Sequence, residues 1–278
     1  MNPTLDLIKT KAQLLSKLGF TNCKQEMIWY LEHLNLLTME ELYTNNLNLN
    51  TNIEKKIELF YNERKQHKPY QYITQCSNYY GRDFYVDNRV LIPRPETELL
   101  IEYIKKKNFN NCLEIGVGSG IISITLLLES IVQRVISTDI SQDALNVAKY
   151  NFKKFNLTNY TLLKHNILTQ SFNAQFDLVI SNPPYITQSE YLKLPNEIKN
   201  YEPKIALTDD KDGLVFYQRF AKILKNILKP QGIFISEISA TFNINEVLKI
   251  FKNKEYQIKI IKDLSQNNRA IIISNDIK

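Results

Sequence analysis

The sequence predicts an α/β protein in which a small helical domain and a β-hairpin linker precede a seven-stranded sheet. Three observations support this fold class. Capped helix patterns fill the first 75 residues, seven short apolar segments then alternate with helical ones, and only Asp263–Asn268 separate the last two segments. Alternating strands and helices indicate a parallel sheet. Because so short a connection cannot join parallel neighbours, the last strand is expected to be antiparallel.

The helical domain is predicted to span residues 1–75. Asn2-Pro3 is a helix start, with proline at the first helical position, and Gly19 ends this helix. Capping-box patterns, in which Thr is followed three residues later by Glu, begin at Thr38 and Thr51. A further helix is expected near residues 25–33.

The linker is predicted to span residues 76–95. From Tyr79 to Leu91, polar and apolar residues alternate and aromatic side chains are frequent, which indicates a β-hairpin. Asp87-Asn88 is the expected turn. Pro93-Arg94-Pro95 ends the hairpin, and a helix is expected from Glu96 to Lys107.

The third part, residues 96–278, carries the alternation of strand and helix. The apolar segments are short enough to be strands buried on both faces of a parallel sheet. Strands are expected near 111–115, 133–138, 160–164, 176–181, 232–237, 256–262 and 269–274, and helices at 119–129, 141–155, 213–228 and 242–252.

A glycine-rich loop follows the first strand of this part. Gly116-Val117-Gly118-Ser119-Gly120 has the spacing GxGxG, whereas the dinucleotide fingerprint GxGxxG would need glycine at position 121, which is isoleucine. The GxGxG spacing after the acidic Glu114 is typical of enzymes that bind S-adenosylmethionine. Asp139 ends the second strand, where a carboxylate can accept the ribose hydroxyls. A structural turn and a helix-start charge remain the simpler explanations of each feature taken alone.

The fourth apolar strand runs directly into Asn182-Pro183-Pro184-Tyr185. Two prolines fix the backbone and remove two donors, so the Pro183 carbonyl and the Asn182 side-chain oxygen can both accept hydrogen bonds. Tyr185 offers a flat face for stacking. Two acceptors beside a planar ring suit a target amide or amino group, and the alternative is a rigid turn at the strand end.

These residues resemble the HemK/PrmC family of peptide chain release factor N(5)-glutamine methyltransferases. The resemblance covers nearly the whole chain, and its most specific segment is Ile92-Pro93-Arg94-Pro95-Glu96-Thr97-Glu98. It implies a Rossmann-like class I methyltransferase domain at 96–278 and a substrate-recognition role for the helical domain. It also implies methyl transfer from S-adenosylmethionine to the Gln of the Gly-Gly-Gln motif in class-1 release factors, which modulates translation termination.

The expected site residues fall into three sets. Asn182, Pro183 and Tyr185 are expected to be catalytic, and Pro184 joins them in binding the substrate. Arg94, Glu96 and Glu98 are weaker candidates for closing the site, with a helix cap and surface charges as the alternative. The residues expected to bind the cofactor are Glu114, Gly116, Val117, Gly118, Ser119, Gly120, Asp139, Ile140, Asn166, Ile167 and Asn182.

Three positions depart from the family's pattern. Thr74-Gln75 stand where a glycine is expected after Ile73, Ser239 stands where glycine is expected after Ile238, and Asn166 replaces an acidic residue. The first two affect backbone geometry and the third affects adenine binding, whereas the proposed catalytic groups are all present.

An adenine-N6 or rRNA-base methyltransferase is the main alternative, because the same tetrapeptide would accept a flipped base. Residues 1–92 hold 11 Lys and Arg against 10 Asp and Glu, which offers no strong phosphate-binding face. An inactive binding protein is a further alternative, and the intact Asn182 and Asp139 count against it.

Composition narrows the class of protein. The net charge is +6, and the three cysteines are widely spaced without a CxxC pair, so neither a disulfide framework nor a zinc or other metal site is expected. Met1–Phe20 contains no continuous apolar run and no apolar run of 18 residues occurs, so we expect no signal peptide and no membrane span. We expect a cytoplasmic protein that binds no membrane, and we also expect a monomer that binds no nucleic acid stably.

Overall fold

The computed structural model describes residues 3–44, 50–242, 244–252 and 256–274, which form two compact units. The first unit comprises Met1–Cys76 together with Asn196–Tyr201, and the second comprises Ser77–Pro195 and Glu202–Lys278. No helix in the described ranges has the length and apolar character that crossing a membrane requires. The predicted start at Asn2 lies outside the described residues.

The first unit is helical, and its longer helices bury one face each around Ile8, Leu31 and Phe60. The first helix ends before Gly19, which has φ of +92° as expected of a glycine that stops a helix. Its helices are α1 (Pro3–Ser16), α2 (Cys23–His33), α3 (Met39–Tyr43), α4 (Thr51–Lys65) and α5 (Tyr70–Thr74), with α10 (Asn196–Tyr201) contributed from later in the chain.

Capping at the two Thr positions differs. Thr38 forms the predicted capping box with Glu41. At α4 the prediction is wrong by one residue, because the side chain of Asn50, not Thr51, accepts from the backbone N–H groups of Asn52 and Ile53. Asn is as good an N-cap as Thr, so Asn50 caps the helix and Thr51 is its first residue.

A buried arginine organises this unit. Arg64 is 4% exposed, and its guanidinium donates to Glu26 Oε2 at 3.0 Å, to the Lys68 carbonyl at 2.6 Å and to Glu197 Oε1 at 2.8 Å. A buried charge is tolerated when it is paired and hydrogen-bonded in this way. Arg64 therefore joins α2, α4 and α10.

A hairpin lies at the start of the second unit, as predicted, but its strands and its turn come earlier than the predicted Tyr79–Leu91. Strands β1 (Cys76–Tyr79) and β2 (Arg82–Tyr85) are joined at Tyr80-Gly81, and not at Asp87-Asn88 as predicted. Tyr80 and Gly81 both have positive φ, +51° and +71°. A two-residue turn of type I′ requires positive φ at both positions, and Tyr-Gly is a weaker signal for it than Asn-Gly.

A seven-stranded sheet forms the rest of the second unit, with strand order β5-β4-β3-β6-β7-β9-β8. β9 is antiparallel to both of its neighbours, and the other described pairs are parallel. The prediction of a seven-stranded sheet with an antiparallel last strand is confirmed. The strands are β3 (Phe109–Ile115), β4 (Val132–Asp139), β5 (Tyr160–Lys164), β6 (Phe176–Ser181), β7 (Leu228–Glu237), β8 (Gln257–Lys262) and β9 (Asn268–Ser274).

Apolar side chains cover both faces of this sheet. Along β6, Leu178 and Ile180 belong to one buried cluster and Val179 belongs to another, which is the alternation expected of a strand buried on both sides. A single 3₁₀ turn (Pro95–Thr97) precedes the first of the covering helices, and another (Lys204–Ala206) follows α10. The helices are α6 (Glu98–Ile104), α7 (Ile121–Leu128), α8 (Gln142–Lys154), α9 (Gln188–Tyr191), α11 (Val215–Ile227) and α12 (Ile244–Phe251).

One departure from the family's pattern has a visible backbone consequence. Gln75, which stands near the expected glycine, has φ of +52° in the left-handed region at the end of α5. Glycine reaches this region without the steric cost that a side chain brings. Ser239 is not among the described residues with positive φ, so no such strain arises there.

Candidate active site at the carboxyl ends of the parallel strands

A cavity of about 580 Å³ lies where β3, β4 and β6 end. Ligands of open α/β sheets bind at the carboxyl ends of the strands, beside the point where the strand order reverses. Here β3 is that point, since β4 lies on one side of it and β6 on the other. The cavity is therefore the position that the fold itself provides for a ligand.

The glycine-rich loop forms one wall of the cavity. Gly116 and Gly118 have φ of +82° and +52°, and a Cβ on Gly118 would meet no atom within 4 Å. That open side leaves the backbone accessible to a ligand. Gly120 differs, because it does not line the cavity in the described structure and a Cβ there would lie 3.0 Å from Ile124 Cδ1. Gly120 thus lets the loop pack against α7.

Asp139 is held by the backbone on both sides. Its Oδ2 accepts from the N–H of Gly118 at 3.0 Å and its Oδ1 accepts from the N–H of Ser141 at 2.9 Å. Burial raises the pKa of this carboxyl above its ordinary value, and the two N–H groups act in the opposite direction. Each oxygen keeps a lone pair for a further donor, which suits a pair of neighbouring hydroxyls.

Glu114 is buried beside the loop and lines the cavity. Its Oε2 accepts from the Ser123 hydroxyl, whereas Oε1 has no hydrogen-bond partner in the described part of the chain. Burial raises the pKa of Glu114 to about 8. A buried acceptor without a donor is costly, so this side chain fits a ligand that brings a donor or a positive charge. S-adenosylmethionine brings both.

The end of β5 supplies Asn166 and Ile167, and both line the cavity. Ile167 is buried, which suits an apolar side chain that packs against a ligand's ring. The Asn166 side-chain oxygen accepts from the Leu168 N–H at 3.0 Å. It keeps one lone pair for a ligand.

Asn182 and Pro183 lie on the cavity wall where β6 ends. Ser181, the last residue of β6, donates from its hydroxyl to the Ile115 carbonyl at 2.8 Å and fixes this end of β6 against β3. Asn182 Nδ2 donates to Thr97 Oγ1 at 3.1 Å. Within the described ranges no hydrogen bond uses Asn182 Oδ1 or the Pro183 carbonyl, so both acceptors predicted from the sequence stand ready for a donor.

Glu237 and Gly213 fix the position of Tyr185. Its hydroxyl donates to Glu237 Oε1 at 2.9 Å, and burial raises the pKa of this phenol. A Cβ on Gly213 would lie 2.3 Å from the Tyr185 carbonyl oxygen, so only glycine fits at that position. Tyr185 is not among the described residues that line the cavity. Its stacking role therefore stays a prediction, as do the roles of the other predicted site residues.

The three weaker candidates have separate partners. Arg94 Nη2 donates to Glu202 Oε1 at 2.5 Å, and Glu202 Oε2 accepts from the Ile92 N–H at 3.1 Å. Glu98 accepts from the Tyr80 N–H at 2.9 Å, and Glu96 lies 3.8 Å from Arg269. Arg94 is the one of the three that lines the cavity in the described structure. Glu98 fixes the hairpin.

Three residues of this region were not predicted from the sequence to support the site. Thr97 and Glu237 hold Asn182 and Tyr185, as described above. Asn151 on α8 donates to the Ser119 carbonyl at 2.8 Å and exchanges two bonds with the backbone of Tyr85. The wide sequence separation of these partners leaves no local pattern, although a buried Asn in an otherwise apolar helix face is a weak signal for Asn151.

Comparison with known proteins identifies the family. The family model for the methyltransferase small domain matches residues 95–198. A release factor glutamine methyltransferase of Clostridium acetobutylicum is 35% identical, over 88% of this chain and 91% of that protein. Its counterpart in Chlorobaculum tepidum is 32% identical, over 96% of this chain and 90% of that protein.

Two further matches add the fold and a difference in length. A bifunctional methyltransferase of Rickettsia typhi is 39% identical over 94% of this chain, but the chain spans about half of it, 55%. The crystal structure of a methyltransferase from Pyrococcus furiosus is 16% identical, covers 81% of this chain and 99% of its own, and superposes with a TM-score of 0.55. The last match shows the fold alone. The release factor glutamine methyltransferases of Clostridium acetobutylicum and Chlorobaculum tepidum match this chain over most of their own length. Together with the sheet and its cavity, they show that the chain belongs to the release factor glutamine methyltransferase family.

Proposed function

We propose that the protein transfers the methyl group of S-adenosylmethionine to the side-chain amide nitrogen of the Gln in the Gly-Gly-Gln motif of class-1 peptide chain release factors. It would act as a cytoplasmic monomer and modulate translation termination, with the helical domain selecting the protein substrate. One observation carries the proposal. Asn182 and Pro183, whose Oδ1 and carbonyl oxygen accept no hydrogen bond within the described ranges, line the same cavity as Gly118 and Asp139.

The chemistry that these residues support is positioning. An amide nitrogen is a poor nucleophile because its lone pair is delocalised into the carbonyl. If Asn182 Oδ1 and the Pro183 carbonyl each accept one N–H of the target, the nitrogen is held and its pyramidal form is favoured. S-adenosylmethionine supplies an electrophilic methyl group on a sulfonium. A nitrogen–carbon bond forms as the sulfur–carbon bond breaks, the electron pair stays on sulfur, and the amide proton passes to water.

A methyl-transfer assay with labelled S-adenosylmethionine tests the proposal. A class-1 release factor, the same factor with Ala in place of the Gln of its Gly-Gly-Gln motif, plasmid DNA and ribosomal RNA are offered side by side. We expect label on the release factor alone and none on its Ala variant. Label on nucleic acid alone would overturn the proposal and support a base methyltransferase.

Asn182→Ala links the reaction to the cavity. Removing one positioned hydrogen-bond partner of the reacting group lowers turnover about 10²- to 10³-fold. Asn146→Ala is the matched control, because Asn146 is an exposed Asn on α8, away from the cavity. Equal turnover of the two variants would show that the Asn182 acceptor is not used.

A further inference from the structure

We propose that Thr97 and Glu237 act as a positioning relay that fixes which way round the Asn182 amide lies. This inference rests on the proposed function and adds two residues to its machinery. The relay consists of three buried or half-buried side chains joined by two hydrogen bonds. Thr97 Oγ1 donates to Glu237 Oε2 at 2.6 Å, and Asn182 Nδ2 donates to Thr97 Oγ1 at 3.1 Å.

The direction of these bonds follows from counting protons. Both side-chain oxygens of Glu237 accept, Oε2 from the Thr97 hydroxyl and Oε1 from the Tyr185 hydroxyl, which is the role of an ionised carboxylate. A hydroxyl has a single proton. With its proton committed to Glu237, Thr97 faces Asn182 with lone pairs alone, and Asn182 must present its NH₂ group.

Several groups around Glu237 act on the pKa of its carboxyl. Burial raises the pKa of this carboxyl, while the Thr97 and Tyr185 hydroxyls and the charge of Arg269 lower it and the charge of Glu96 raises it. The Tyr217 hydroxyl donates to the Glu237 main-chain carbonyl at 2.7 Å and holds the backbone in place. The side-chain oxygens accept from the Thr97 and Tyr185 hydroxyls.

The orientation of Asn182 matters because the two ends of an amide have nearly the same shape but opposite hydrogen-bonding character. With its NH₂ on Thr97, Asn182 leaves Oδ1 for the target nitrogen. In the flipped orientation an NH₂ group would face the target NH₂, donor against donor. Without the relay, both orientations are open to the side chain.

Thr97→Val tests the relay, because valine keeps the shape of threonine and lacks the hydroxyl. We expect turnover to fall about 10- to 100-fold, the factor that one well-placed hydrogen bond is worth. The affinity for S-adenosylhomocysteine, measured by calorimetry, should stay within about threefold, which separates positioning from a general loss of structure. Thr97→Ser restores the hydroxyl and should recover most of the turnover.

Thr125→Val is the matched control. Thr125 is fully buried on α7, and its hydroxyl has no partner in the described part of the chain, so its replacement should leave turnover unchanged. The relay is refuted if Thr97→Val turns over like Thr125→Val, or if it loses cofactor affinity in proportion to turnover. If Thr97→Val does not fold, Glu237→Met takes its place, since it removes the acceptor of the Thr97 proton and should lower turnover in the same way; wild-type turnover in that variant would refute the relay.

The two proposals fail separately. If the unsubstituted protein labels no release factor, the proposed function fails. If it labels the release factor and the Thr97 variants behave like the control, the proposed function stands and the relay fails.

Discussion

Asn151 offers a test of the structure that does not depend on any activity. Its side chain is fully buried and makes three hydrogen bonds, to the Ser119 carbonyl and to the N–H and carbonyl of Tyr85. These bonds join α8 to β2 and to the glycine-rich loop. Asn151→Ala would remove all three and leave the Ser119 carbonyl buried without a donor.

The cost of Asn151→Ala can be worked from these bonds. The lost bond to the buried Ser119 carbonyl costs about 1–3 kcal/mol, and each half-buried bond to Tyr85 costs about 0.5–1.5 kcal/mol because water can partly replace it. The free energy of unfolding should therefore fall by about 2–6 kcal/mol. Urea denaturation followed by circular dichroism measures this change.

The control for this substitution is Asn146→Ala on the same helix. Asn146 is exposed, so its replacement should change the free energy of unfolding by less than about 0.5 kcal/mol. A loss for Asn151→Ala no larger than that of the control would refute the reasoning.

Asn151→Asp sharpens the test, because it keeps the shape but sets a carboxyl group against two carbonyl oxygens at 2.8 and 2.9 Å. The pKa of the new carboxyl should be raised in the folded state. Its destabilisation should then grow as the pH rises above about 4, the ordinary pKa of Asp, so the variant should lose more stability at pH 8 than at pH 5.

Two further predictions concern Glu114, which lines the cavity, and Gly213, which packs against Tyr185. Burial raises the pKa of Glu114 to about 8, so between about pH 4.3, the unfolded value, and pH 8 the unfolded chain ionises this carboxyl while the folded protein keeps it protonated, and stability falls progressively over that range. Glu114→Gln removes this cost, and its urea midpoint relative to the unsubstituted protein should be higher at pH 9 than at pH 6; a pH-independent difference would contradict the assignment. Gly213→Ala places a Cβ 2.3 Å from the Tyr185 carbonyl oxygen at φ of +78°, and should cost about 2–5 kcal/mol by adding overpacking to left-handed strain. Gly81→Ala is the control, because Gly81 has φ of +71° and an added Cβ would meet no atom within 4 Å. It should cost about 1–2 kcal/mol, from left-handed strain alone. Thermal denaturation compares the two variants, and an equal loss of stability would show that the contact at Gly213 is unimportant.

The sheet could be predicted from the sequence because its signals are local. Each strand is a short apolar run, each connection shows helical spacing, and the brevity of Asp263–Asn268 alone required an antiparallel last strand. The hairpin turn was misplaced for the same reason. Asp87-Asn88 has the composition of a turn, whereas the turn at Tyr80-Gly81 depends on a tyrosine in the left-handed region, which local propensity disfavours.

The site divides in a similar way. The glycine-rich loop, Asp139 and Asn182 lie in contiguous motifs and line one cavity. Thr97 and Glu237 are 140 residues apart, and Asn151 is 66 residues from Tyr85. A single sequence does not show such pairs, because folding alone brings together polar side chains that are far apart in the chain.

The sequence separation of 140 residues between Thr97 and Glu237 also affects the order in which the site forms during synthesis and folding. A chain made from its N-terminus would contain Thr97 and Asn182 well before residue 237 is added. Closing a loop of 140 residues must await the insertion of β7 beside β6, and the entropy lost in that closure is repaid only by long-range contacts. The Asn182 amide would thus gain a fixed orientation late in synthesis. A fragment that ends at residue 198, where the match to the family model ends, would retain Asn182 and Thr97 but would lack Glu237. The relay would then not fix the orientation of the Asn182 amide.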